Sequence, residues 1–124
     1  MIFMAQTQHK RETYQSPRET YNLDPSKLSK IIAKIANYLS DQTLKQEIKN
    51  PGYSLLHQNF FVGNEKTLKL STDVDKNGTI ESFFLAELIL GDHDSSLTLE
   101  IYNHPSLLID PKELTNIGEE YSLK

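Results

Sequence analysis

The sequence predicts an α+β domain in which an N-terminal amphipathic helix packs on a four-stranded antiparallel meander and a short C-terminal helix follows. Three observations predict it. Apolar residues recur at helical spacing between Leu28 and Leu39, and beyond Gly52 the period changes to two. The period-two runs are joined by turns short enough to suit antiparallel neighbours. A length of 124 residues fits one domain with a modest core.

Residues 1–22 read as a flexible tail and 23–124 as the domain. From Gln6 to Asn22 the chain has almost no aliphatic side chain to set against conformational entropy. The tail contains a direct repeat, Arg11-Glu12-Thr13-Tyr14 and Arg18-Glu19-Thr20-Tyr21, which reads as a chance duplication or a docking motif. Order is expected from Asp24-Pro25, because Asp caps helices and Pro suits the first helical position. Leu28, Ile31, Ile32, Ile35, Ala36 and Leu39 then form one apolar stripe, with Lys27, Lys30 and Lys34 on the solvated side. Ser40-Asp41 introduces a second helical piece carrying Leu44 and Ile48, and Asn50-Pro51-Gly52 ends it.

Strands are predicted at Tyr53–Val62, Lys66–Asp75, Thr79–Leu90 and Ser96–Asn103. Pro105–Ile109 reads as an extended edge segment. A last helix begins at Asp110-Pro111, with Asp110 as cap, Glu113 at the capping-box position and Gly118 past the end.

Composition removes several functions. With no cysteine there is no disulfide framework, thiolate zinc site or cysteine nucleophile. A net charge of −4 with mixed signs argues against nucleic-acid binding, which needs clustered Lys and Arg. No apolar run approaches the roughly 20 residues that span a bilayer, so no membrane contact and a cytoplasmic location are expected. No nucleophile elbow, phosphate-cradling loop or helical His pair is present. A non-enzymatic protein without a cofactor is the reading, and His57, His93 and His104 are read as structural.

Asp73-Val74-Asp75-Lys76-Asn77-Gly78-Thr79-Ile80-Glu81 is the most suggestive stretch. It matches the front half of a calcium loop, with Asp73, Asp75, Asn77 and Glu81 as metal ligands. Position twelve, where such a loop needs a bidentate Glu, is Phe84. The preferred reading is a hairpin with a three-residue loop, Gly78 in a G1 bulge, and Asp75 facing Thr79. Val74 would then meet Ile80, Leu70 would meet Phe84, and Asp73 would lie opposite Glu81.

In that register Phe83, Leu85 and Ile89 occupy the face away from the helix, with Tyr102 at the margin. An apolar strip on a sheet's second face marks an interaction site unless the chain covers it itself. The function expected is therefore a protein-interaction or adaptor module acting through this face, as a homodimer or with another protein. In size, charge and element order, though in no motif, the chain resembles dimeric secretion chaperones, which implies the same mode of action. A calcium- or metal-binding domain is the alternative.

Overall fold

The computed structural model describes residues 17–40, 43–64 and 66–123. Strand β1 (Pro17–Leu23) leads through a 3₁₀ turn (Pro25–Lys27) into helix α1 (Leu28–Ser40) and the short helix α2 (Thr43–Glu47). Strands β2 (Tyr53–Asn64), β3 (Thr67–Lys76), β4 (Thr79–Leu90) and β5 (Leu97–Tyr102) follow, then helix α3 (Lys112–Glu120). The sheet is antiparallel with strand order β1-β5-β4-β3-β2. The α+β class and the meander stand as predicted, and a fifth strand joins the meander's far edge.

That strand corrects the tail boundary. Residues 17–22 belong to β1, while the first repeat block, Arg11–Tyr14, lies outside the described residues. Hydropathy misses β1 because mostly hydrogen bonds hold it. Its backbone pairs with β5, and Glu19 accepts from the hydroxyls of Tyr21 (2.8 Å) and Thr115 (2.9 Å). Leu23, at its end, is fully buried. The C-terminal residues cover the end of the strand's other side: Leu123 N–H donates to Asn22 O, and Asp24 N–H donates to Tyr121 O.

Asp24 caps as expected, accepting from the Ser26 amide at 3.0 Å and the Ser26 hydroxyl at 2.8 Å. The Ser26 hydroxyl, then its amide, holds the Asp24 carboxyl below the usual carboxylate range. The α1 stripe buries Ile31, Ile35 and Tyr38, and α2 adds Leu44. α3 packs over β1 and β5 and also meets α1. Both helices lie on one face of the sheet, and the core fills the space between. Pro105–Leu107 forms a 3₁₀ turn rather than an extended edge, because Leu107 is drawn fully into the core.

The largest correction is in β4. Asn77 (φ 54°) and Gly78 (φ 92°) make a two-residue turn with Lys76 opposite Thr79, not the three-residue loop expected. Positive φ at both central residues is the type I′ requirement, and Asn-Gly meets it best. Val74 therefore faces Glu81, Asp73 faces Ser82, and Ile80 stands 62 % exposed beside Asp75. Further along, Phe84 pairs with Ser71 and Ala86 with Leu70, which leaves Leu85 as an extra residue, a β-bulge. The bulge shifts the parity of the strand. Phe83, Leu85, Ala86 and Leu88 all reach the core, each at most 3 % exposed.

Among the described residues, no helix is long and apolar enough to cross a membrane.

Candidate functional site

The predicted strip does not assemble. Phe83 (1 % exposed) and Leu85 (2 %) lie in the core under the helices. Ile89 and Tyr102 remain half-buried on the outer face, where polar groups surround them. Ile89 stands between Thr67 and Thr98, and the Tyr102 hydroxyl is 3.1 Å from carboxylate oxygens of both Glu87 and Glu100. Burial, then those two acids, pushes the Tyr102 phenol well above its ordinary pKa. Lys69 covers the Phe84 ring, its Nζ 4.9 Å from the ring centre. The outer face is a mixed polar surface rather than an apolar patch.

The calcium-loop residues also part company. Asp73 accepts from the Ser82 hydroxyl at 2.6 Å, and Asp75 accepts from the Gly78 amide at 2.7 Å. Glu81, facing Val74, falls on the opposite side of the sheet from both, and Asn77 is consumed by the turn. Among the described residues, no three His, Asp or Glu side chains gather where a metal could sit.

His104 is buried, and its position follows from the bulge. The β4–β5 ladder runs only as far as Ala86 and Ile101, so the Phe84 carbonyl lies beyond it. His104 Nε2–H donates to that carbonyl, and its ring meets Phe83 edge-on at 5.3 Å. His93 sits exposed in the 92–94 turn with φ 56°, and the His57 side chain lies outside the described residues.

Among the described residues Glu47 is the buried carboxylate, 8 % exposed. Its Oε1 accepts from the Tyr38 hydroxyl at 2.8 Å, and its Oε2 accepts from the Glu113 amide at 3.2 Å. It therefore supplies, from α2, the cap expected of Asp110. Asp110 instead accepts from Arg18 at 3.2 Å, and no side chain of the residue preceding α3 caps the helix. The arrangement fixes α2 against α3 and gives the carboxylate a structural task.

The remaining unusual feature is the free edge. β1 carries Pro17, Arg18 and Glu19 and is flanked by the C-terminal residues. Charge, Pro and cover are the usual devices that blunt an edge strand. Among the described residues β2, at the other edge, has none of them: Tyr53-Ser-Leu-Leu-His-Gln-Asn-Phe-Phe-Val-Gly-Asn64 contains no Asp, Glu, Lys, Arg or Pro. It also displays apolar side chains. Leu56, the extra residue of a bulge between Leu55 and His57, is 47 % exposed, and Val62 is 64 % exposed. A groove lies at each end of the strand. One of about 340 Å³ is lined by Lys45, Ile48, Lys49, Tyr53 and Leu55, and one of about 180 Å³ by Leu28, Val62, Lys66, Leu68 and Leu90. They lie at and below the low end of the roughly 300–1,000 Å³ typical of small-molecule sites, and suit individual side chains instead.

The predicted meander implies an edge position for this strand, and sequence reasoning overlooked its composition. The signal was there: it is the strand without a formal charge. Comparison with protein-family models, curated proteins and solved structures finds no match to this chain.

Proposed function

We propose that the domain is a non-enzymatic protein-interaction module that receives an extended segment of another chain as a sixth strand along β2. The observation that carries this is the contrast between the two edges, one blunted and covered, the other long, uncharged and apolar. Strand addition draws affinity from main-chain hydrogen bonds and selectivity from pockets for alternate side chains, and β2 offers both. The contact moves from the sheet's second face, where the hydropathy pattern first located it, to the sheet's edge.

Display selection of random peptides on the immobilised chain tests this reading. Leu56→Lys and Val62→Lys together place charge on two exposed edge positions, where a folded β2 tolerates it. Peptides enriched on the native chain should be lost on the double variant, while its thermal unfolding stays within about 1 kcal/mol of the parent. Equal enrichment on both proteins, or none on either, contradicts the proposal.

A further inference from the structure

We infer that the strand received by β2 is an acidic extended segment from a different protein, an inference that rests on the edge-strand reading above. The distribution of charge carries it. The chain is −4 overall, yet lysines collect beside β2. Lys45 and Lys49 line the groove at the strand's start, with Lys76 Nζ 5.7 Å from the centre of the Tyr53 ring. Lys66 lines the groove at the other end. Among the described residues lining the two grooves there is no carboxylate. The two grooves are thus positive in a negative molecule, with Asp73 and Asp75 beside β2 on the sheet's other face, and complementary charge steers a partner of the opposite sign and fixes its register. The side chains on the helix-facing side of such a segment would enter the grooves, an apolar residue in the middle and Asp or Glu where the lysines line them.

The same charges weigh against two other occupants. A second copy docked about a two-fold axis would run antiparallel along β2, bringing lysines at one end of the strand onto lysines of the other copy. The chain's own residues 1–16 carry Lys10 and Arg11 against Glu12 alone, which is the wrong sign.

The test uses synthetic peptides of about ten residues that share one apolar core and one outer face, and differ only in carrying Glu, Ser or Lys at the groove-facing positions near each end. Each is titrated calorimetrically against the full chain at low and high salt. The Glu peptide should bind at least about tenfold tighter than the Lys peptide, and lose affinity as salt rises. Lys45→Glu with Lys49→Glu, both exposed positions, should weaken it by about threefold to thirtyfold with the melting curve unchanged. Equal affinity for all three peptides, lost in the Leu56→Lys/Val62→Lys variant, overturns the charge inference and leaves the edge reading standing. Self-association in sedimentation equilibrium that the same variant abolishes overturns it in favour of a second copy. Glu-peptide binding that survives that variant overturns the edge reading itself, and failure of all three peptides to bind overturns the inference.

Discussion

Glu47 shows how one carboxylate joins two elements that local propensity would leave apart. Replacing it by Ala removes the acceptor for the Tyr38 hydroxyl and for the first amides of α3, a loss expected to cost about 1–3 kcal/mol in chemical denaturation. Burial raises the Glu47 pKa above its ordinary 4.5, outweighing the hydrogen bonds from Tyr38 and the α3 backbone that favour the anion. The folded state thus binds this proton more tightly than the unfolded chain does. Its contribution is complete below the unfolded pKa and lost as pH rises through the raised folded value. Stability measured from about pH 4 to about pH 7 should fall more in the native chain than in Glu47→Gln, whose neutral amide does not titrate. Parallel curves for the two proteins would contradict this. Gly118 makes a second residue-level case. It lies inside α3 rather than beyond it, where a Cβ would run into the Tyr21 ring of β1. Gly118→Ala should therefore destabilise by about 1–3 kcal/mol, although Ala is the better helix former.

At the scale of elements, the reading succeeded where period and turn chemistry were unambiguous and failed where one residue changed parity. The α1 stripe, the Asn-Pro-Gly break after α2 and the four meander strands were legible because each rests on a repeated pattern. The bulge at Leu85 was not legible from alternation, since Phe83, Leu85, Ala86 and Leu88 read as two faces until the extra residue is inserted. Leu85→Lys should consequently unfold the domain, by more than about 3 kcal/mol, rather than split an assembly. A folded variant by circular dichroism would contradict the bulged register. β1 escaped notice because its inward side carries Glu19 and Tyr21, whose burial is supported by hydrogen bonds. Burial first, then Glu19, raises the Tyr21 phenol to about 12. Deleting residues 1–22 strips β5 of one of its two partner strands and should lower stability by several kcal/mol, whereas deleting 1–16 removes none of β1.

For the molecule as a whole, α1 and α3 cover one face of the sheet, a polar network occupies the other, and the two edges are treated differently. The chain covers the end of β1 with its own C-terminal residues and leaves β2 without a formal charge. The sequence expectation of an interaction module survives as a proposal, moved from Phe83 and Leu85 to the backbone of β2 and the side chains of Leu56 and Val62. What made that surface hard to find is physical: an edge strand binds through N–H and C=O groups that every residue carries. Only missing charge and missing Pro betray it. Amide hydrogen exchange along β2, with and without a display-selected peptide, tests the central claim most directly. The account predicts slowed exchange at amides between Ser54 and Val62, with β1 and the outer-face positions around Glu87 and Tyr102 unchanged. Slowed exchange on that outer face instead, or none along β2 at saturating peptide, would contradict it.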